Sequence, residues 1–577
     1  MLHPPVVGHC RMWCILLNPA CCHAAQPSLK ARLILRLPGS AAPRSPTSGR
    51  ACRTLPTRLE QPSFRRGGLR KQYLEHPRGD PHHALIFADT DTEFDDGTVV
   101  VPAGIGREAK EHGLTSVFCE CSQRGCHGRI TVSSAGFSAS THECTAVPQV
   151  SALICEQQGG VTMDFALLPS TASGSRFVSL AEQHAVDFAT RADQHDREGS
   201  FPFENIEAMQ RSGVMAGCVP EELGGMGVES LHDTMLGINR LGRGDGSTAI
   251  ATAMHVMYTW GLTRAWRGAT AAGDAAGAEP TAALLRQIAA GQLVRCSPQS
   301  EPGTDLLHPF VEATKVDAGW HLNGRKIFGS LSPAASHMMI VCRFRDPQGG
   351  LRRAMASIPS GSAGVDIKNN WDALGMRASG SHDIVFEDCF VPEAALREDG
   401  PWGEWTERFL SGQMAFNMGL VAAFLGIAEA ARDLAVLTIT RRRRGPNSQS
   451  VAERPAIQHL IAEIEIDLAA ARAMLARTAT MADAFFSQHL AGSAPLGELH
   501  ELMKDFQCTK WFVNRKAIEI VDRALTASGG AGYLTANPLA RLYRDVRAGP
   551  FMQVFSPNEA FEYIGKVALG IDPRLSD

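Results

Sequence analysis

The period of the apolar positions changes twice along the ordered-looking part of this chain. From Arg176 onward Phe177, Leu180, Ala181, His184 and Phe188 recur at helical spacing. The segment GVMAGCVPEELGGMGVES follows, punctuated by Pro220, Gly224, Gly225 and Gly227, and predicts a loop. A second helix is predicted over 231–241. An apolar run from Ser247 to Trp266 completes a helical region that ends near Gly291. From Val294 the period falls to two. In TKVDAGWHLNGRKIFGS the pair Asn323-Gly324 lies between short alternating runs and predicts a hairpin. HMMIVCRFRD, RRAMASIP and GSHDIVFEDCFVP predict further strands. From Trp402 helical spacing returns. Ile457, Leu460, Ile461, Ile464, Leu468 and Ala471 form one stripe, and Leu502, Phe506, Trp511, Val513, Ile518, Val521 and Leu525 another.

Separate runs of helices, strands and helices predict an α+β protein with an N-terminal helical domain at 163–295, a central β domain at 296–395 and a C-terminal helical bundle at 396–577. Residues 1–162 differ. Cys, Pro, Arg, Ser and His cluster there without sustained periodicity, so this extension is expected to be poorly ordered, with Met163 an alternative start. Its set Cys119, Cys121, Cys126, His127, His142 and Cys144 lacks the C-x₂-C spacing of zinc sites, so no metal is expected.

Composition narrows the class. The chain has 577 residues and a net charge of -4, with no basic stripe to suit nucleic acid. The longest uncharged stretch, Phe409 to Ala428, holds Ser411, Gln413, Asn417 and three glycines, and reads as a buried bundle helix rather than a membrane span. Cys218, Cys296, Cys342, Cys389 and Cys508 stand singly, which suits a reducing, cytoplasmic setting. His255, in a mostly apolar helix, reads as buried and hydrogen-bonded rather than catalytic.

Several motifs occur in a telling order: PEELGGMG, SEPGTD at Ser300 to Asp305, LNGRKIFGS, LGMRASGS with a strand ending at Val391-Pro392, GGAGY, and YRD. Together they resemble the acyl-CoA dehydrogenase superfamily of flavoproteins over about 176–571. The resemblance implies its three-part fold with a C-terminal four-helix bundle, a flavin-dependent oxidoreductase, and a flavin between the β domain and the bundle. By position, Ser300, Thr304, Phe328, Ser330 and Ser332 would line the β side of that flavin. Arg441, the first residue of RRRRG, would reach the flavin diphosphate of a neighbouring subunit, although Arg444 stands where the family has an aromatic residue. Gly529, Gly530 and Gly532 would let backbone amides approach the diphosphate. In LGMRASGS, Arg377 would anchor the loop, and Ser379 and Ser381 would satisfy strand-edge donors.

The chain departs from the family at the catalytic acid. Dehydrogenation of an acyl thioester needs a carboxylate to take the Cα proton. Counting from YRD puts Gln553 at the usual glutamate, and the alternative position on the bundle helix falls near Phe416. Glu559 is the nearest substitute, but it opens the predicted helix EAFEYIGKVALG, where a first-turn carboxylate suits the helix dipole. Three readings stay open. One is a dehydrogenase acting on CH-CH bonds of an acyl-CoA-like substrate, with FAD and an electron-transfer protein. The second is a two-component monooxygenase of the same fold, with FAD or FMN and a flavin reductase, which does not require the glutamate. The third is a flavin-binding protein without turnover. The resemblance also implies a homotetramer.

Overall fold

The computed structural model describes residues 99–102, 114–121 and 129–134 and, apart from 446–447, 491–493, 553 and 575–577, every residue from 167 onward. The chain divides into two units, Met1–Val161 and Thr162–Asp577. In the first, β1 (Val99–Pro102), β2 (Leu114–Cys121) and β3 (Arg129–Ser134) form an antiparallel sheet in sequence order. These strands lie within the extension whose composition predicts poor order. Cys119 and Cys121 lie on β2; Cys126, His127, His142, Cys144 and Met163 lie outside the described residues.

The second unit opens with helices α1 (Ala172–Phe188), α2 (Ala192–Glu198), α3 (Phe203–Ser212), α4 (Leu231–Gly244), α5 (Gly246–Ala271) and α6 (Ala275–Ala289). The stripe of Phe177, Ala181, Ala185 and Phe188 is the buried face of α1, as its spacing predicts. The Thr171 hydroxyl caps this helix by accepting the Gly174 N–H at 2.9 Å. His255 on α5 is fully buried. Its Nδ1 accepts the Arg295 N–H at 3.1 Å, so Nε2 carries the proton and donates to the Met215 carbonyl at 3.0 Å. Burial pulls its pKa down to about 4, so it is neutral and structural.

The β domain holds β4 (Arg295–Cys296), β5 (Glu312–Val316), β6 (Gly319–Gly329), β7 (His337–Arg345), β8 (Leu351–Pro359), β9 (Val365–Ile367), β10 (His382–Pro392) and β11 (Leu396–Pro401). Their order is β11-β8-β7-β5-β6-β10-β9, with β4 parallel to β7. Strand β11 pairs with β8 and carries the sheet past residue 395. The Asn323-Gly324 hairpin is not formed. Both residues lie inside β6, and the chain reverses instead between β5 and β6, where Ala318 adopts φ 62°. Gly324 has φ 137° opposite an irregular register in β10, and the Asn323 and Asp388 side chains bond across it at 2.9 Å. The turn-forming pair thus serves a bulge.

The bundle comprises α7 (Glu407–Arg441), α8 (Pro455–Gln488), α9 (Leu496–Ser528), α10 (Pro538–Asp545) and α11 (Pro557–Ala568). Helices α7 and α9 run parallel. The Ala494 N–H donates to Glu407 at the start of α7, and Arg442 beyond its end donates to the Ser528 carbonyl at the end of α9, both at 2.9–3.0 Å. Residues Phe409 to Ala428 are almost wholly buried, as a helix apolar all round requires. Ile464, Leu468 and Ala471 are core, whereas Trp511 of the α9 stripe is exposed and packs edge-on to Phe561. Among the described residues no helix is long and apolar enough to cross a membrane, and no cluster of His, Cys, Asp and Glu suits a metal.

Candidate functional site

The loop carrying Ser300 is welded to strand β6. The Ser300 carbonyl accepts the Ile327 N–H at 2.9 Å. Lys326 beside it is fully buried and donates to the Gln299 carbonyl at 3.0 Å and to Glu301 at 2.5 Å. The other Glu301 oxygen accepts the N–H groups of Phe310 and Val311 at 2.7 and 3.0 Å. Burial lowers the Lys326 pKa while the Glu301 charge resists that shift. Every polar atom of the pair thus has a partner, which a buried ion pair requires.

Beyond Lys326 the chain turns sharply. Phe328 has φ 57° and is 56% exposed, its ring edge-on to Trp371 at 6.0 Å. A non-glycine residue held in that region, presenting an aromatic face to solvent, marks stored strain of the kind found at functional sites. Behind it run three hydroxyls. Ser330 Oγ lies 2.7 Å from Ser381 Oγ, which lies 2.6 Å from Ser379 Oγ. The Leu331 N–H donates to the Ser379 carbonyl at 3.1 Å, and the Ser332 hydroxyl donates to the Gly380 carbonyl at 3.0 Å. Ser379 and Ser381 therefore bind the 328–332 turn rather than capping strand-edge donors.

Two links hold this edge against the bundle. Gln413 of α7 donates to the Gln299 side chain at 2.8 Å. One helical turn on, Asn417 is 1% exposed and donates to the Gln413 carbonyl at 2.6 Å, while its Oδ1 has no partner. The second link is the loop before β10. Gly375 lies so close to α10 that a Cβ there would stand 2.3 Å from the Arg544 carbonyl oxygen. Its neighbour Met376 donates its N–H to buried Asp545 at 2.7 Å. Arg377 anchors the loop, as predicted, by donating to the Asp196 carbonyl at 2.8 Å. Asp196 also pairs with Arg544, and Arg541 bonds Asp193 at 2.7 Å. All three domains thus meet at the YRD triplet.

The segment where the family carries its acid is backed by polar residues of α9. Lys510, 4% exposed, donates to the Phe555 carbonyl at 2.7 Å and to that of Met552. Asn514, one turn on, donates to the Gly549 carbonyl at 3.0 Å. Burial pulls the Lys510 pKa down to about 7, against the attraction of Glu559. Glu559 itself closes a capping box with Ser556, whose N–H it accepts at 2.6 Å. Gln553 lies outside the described residues.

The residues expected to line the flavin thus divide. Ser300, Phe328 and Ser330 gather along one edge of the β domain. Thr304 is half-buried there, but its hydroxyl donates to the His308 carbonyl at 2.5 Å and closes a local turn. Ser332 is buried with its hydroxyl engaged, so it faces the domain interior instead of lining the edge. Arg441 is exposed at the end of α7, and its neighbour Arg442 is the one that reaches the glycine turn, through the Ser528 carbonyl. Of the three glycines only Gly529 has a positive φ, 69°. Gly530 is exposed and Gly532 buried. Sequence names Asp545 within YRD and Gln413 within an apolar run but assigns neither a partner, and it does not single out Lys510 or Gln299. For Lys510 the signal was a polar residue on an otherwise apolar helical stripe. A cavity of about 340 Å³ lies elsewhere, among Arg176, Glu221, Glu222, Glu229 and Arg267, charges that pair with one another.

Comparison with known proteins agrees with this layout. Models of the N-terminal, middle and C-terminal domains of acyl-CoA dehydrogenase match residues 177–265, 297–389 and 418–557. The amino sugar nitrososynthase DnmZ of Streptomyces peucetius is 35% identical over 71% of this chain and 97% of its own. The L-evernosamine nitrososynthase of a Micromonospora species is 36% identical over 70% and 92%. Among solved structures, KijD3 in complex with FMN and dTDP-3-amino-2,3,6-trideoxy-4-keto-3-methyl-D-glucose superposes with a TM-score of 0.65 at 34% identity, covering 71% of this chain and 96% of that one. Fold, motif order and sequence matches make the chain a member of the acyl-CoA dehydrogenase superfamily of flavoproteins.

Proposed function

We propose that this protein is a flavin-dependent monooxygenase that oxidises the amine nitrogen of a nucleotide-linked amino sugar. One observation carries the reading: no carboxylate is available where a dehydrogenase needs one. Val546 to Asn558 contains no Asp or Glu, and Glu559 is held in its capping box. Acyl-CoA dehydrogenation, the first expectation from sequence, therefore lacks its base. N-oxygenation needs none, because the amine's own lone pair attacks. The nitrososynthase relatives and the sugar nucleotide in KijD3 support the substrate class.

The residues present fit a flavin. Phe328 and Trp371 offer an exposed aromatic edge, and Ser330 a hydroxyl that can donate outward while accepting from Ser381. The Gly529 turn and Arg442 lie at the end of α9, where backbone amides and a guanidinium suit a phosphate. When bound, reduced flavin would supply two electrons per oxygen molecule, placing one oxygen atom on nitrogen and releasing the other as water. The chain's own part is to bind and orient. The Gln299–Gln413 bridge fixes the bundle against the β edge, and Lys510 with Asn514 fixes the carbonyls of Gly549, Met552 and Phe555. We infer further that neighbouring subunits complete the site, which leaves Arg441 free to reach a phosphate across the interface. A flavin-loaded monomer on sizing would contradict that.

The test is a pair of assays on the purified full chain. One supplies flavin, a flavin reductase and a thymidine-diphosphate 3-amino sugar in air. The other mixes oxidised flavin-loaded protein with an acyl-CoA panel without oxygen. Oxygen-dependent hydroxylamine or nitroso product in the first is expected. Flavin bleaching in the second, with no product in the first, would restore the dehydrogenase.

A further inference from the structure

Among the described residues eight buried side-chain polar atoms have no partner, and the oxygen of Asn417 is the one on the helical turn that bonds the Ser300 loop through Gln413. We propose that Asn417 is a specificity-determining residue whose side-chain oxygen accepts a hydrogen bond from the substrate's amine N–H. The inference rests on the proposed N-oxygenation.

The identity of the free atom follows from its neighbour. The other terminal atom of the side chain lies 2.6 Å from the Gln413 carbonyl oxygen, which can only accept. That atom must be the NH₂ group, so the one left over is the acceptor. An acceptor on a side chain 1% exposed, without a donor, is destabilising in the empty protein and is rare in native interiors.

Its position points to the site. Residues one turn apart share a helix face. Gln413, on the same face, reaches Gln299, whose own carbonyl is held by Lys326 and whose neighbour Ser300 leads the flavin-edge loop. The free oxygen therefore lies on the side of α7 that meets this loop.

The chemistry of the acceptor also fits. Only the neutral amine has a lone pair to give to oxygen. A carboxylate would hold the protonated ammonium, whereas an uncharged amide oxygen takes an N–H while favouring protonation far less. The charge beside Gln299 is accounted for: Glu301 is paired with Lys326.

The test compares two thymidine-diphosphate sugars, one with a 3-amino group and one with hydrogen there, binding to the flavin-loaded full chain by titration calorimetry. The wild-type chain is expected to prefer the amine by about 10- to 100-fold, since a lone unmet acceptor penalises the deamino sugar. Asn417→Leu is expected to abolish the preference, keep flavin affinity within about twofold and melt no lower than wild type without ligand. Asn417→Asp keeps an acceptor. It is expected to retain the preference while turnover falls about tenfold or more, because the carboxylate holds the ammonium form. Retained preference in Asn417→Leu, or lost preference in Asn417→Asp, overturns the role of Asn417 alone. Loss of flavin in parallel with the sugar reassigns the contact to the cofactor. If the wild-type chain binds neither sugar, the proposed substrate falls and this inference with it.

Discussion

The backbone N–H of Met376 donates to the carboxylate of Asp545 at 2.7 Å, joining the last loop of the β domain to the end of α10. Met376 has φ 53°, so this bond holds a strained residue in place. Burial pushes the Asp545 pKa up to about 6, with Arg541 and the Met376 N–H opposing. A carboxyl whose folded pKa lies above its unfolded value binds more protons when folded. Stability then falls as pH rises from about 4 to about 6. Asp545→Asn accepts the same N–H and cannot titrate. Relative to wild type it should therefore gain with pH over that window, by about 3 kcal/mol at most, at about 1.4 kcal/mol per unit. Urea unfolding of both proteins at several pH values checks this, and parallel curves would refute it.

Lys510 gives the mirror case. Its folded pKa of about 7 lies below the ordinary 10.5, so the unfolded chain binds more protons between the two. Stability from this group rises with pH across that window. Lys510→Met removes the rise. It also frees the Phe555 and Met552 carbonyls, leaving buried acceptors unmet at about 1–3 kcal/mol each. The variant should lose stability against wild type, and lose more at pH 9 than at pH 7. A constant difference between the two pH values would show that Lys510 does not titrate there.

These two residues also show where sequence reading stops. The helices were legible because each buries a face that its own spacing declares: Phe177 to Phe188 in α1, Ile464 to Ala471 in α8. The motif order carried the three-domain layout. What a period cannot give is the partner of a polar residue. Gln413 and Asn417 stood out as exceptions in an apolar run, yet their meaning depends on Gln299, 114 positions away from Gln413. Asn323-Gly324 failed for the same reason. A local turn preference lost to pairing of β6 with β10, a contact between distant segments. Likewise the end of α7, not the motif, sets that Arg442 rather than Arg441 faces Ser528 within the chain.

Glu301 and Lys326 form a buried pair whose members are unequal in value alone. Removing the ammonium with Lys326→Met leaves a carboxylate buried without its partner and should cost about 3–5 kcal/mol. Adding Glu301→Gln to that variant removes the stranded charge. The double variant should recover about 1–2 kcal/mol, a coupling within the range of contacting residues. Additive losses in the double-mutant cycle would mean that the two groups do not share their energy.

Phe328 separates strain from function. At φ 57° a phenylalanine is disfavoured and a glycine is not. Phe328→Gly should change stability little or raise it by about 1 kcal/mol, since the exposed ring contributes mainly its contact with Trp371. Flavin affinity should fall about 3- to 10-fold through loss of the aromatic edge. Equal affinity in the variant, read from flavin fluorescence quenching, would place the flavin elsewhere.

Removal of residues 1–162 should leave a folded, flavin-binding protein. The unit boundary falls after Val161, and among the described residues strands β1 to β3 pair only with one another. The position of the cut matters more than its occurrence. Leu167 is buried in the core, and its carbonyl accepts Arg240 at 2.6 Å. Ser170 and Thr171 bind the Asp233 carboxylate through N–H and hydroxyl groups, and Thr171 caps α1. A fragment beginning at 163 keeps all of these. One beginning at 172 leaves Asp233 short of four donors and α1 without its cap, at about 1 kcal/mol for the cap alone and more for the buried carboxylate. The first fragment should melt with the second unit of the full chain, and the second several degrees lower. Loss of flavin from the fragment beginning at 163 would show that the extension belongs to the working fold.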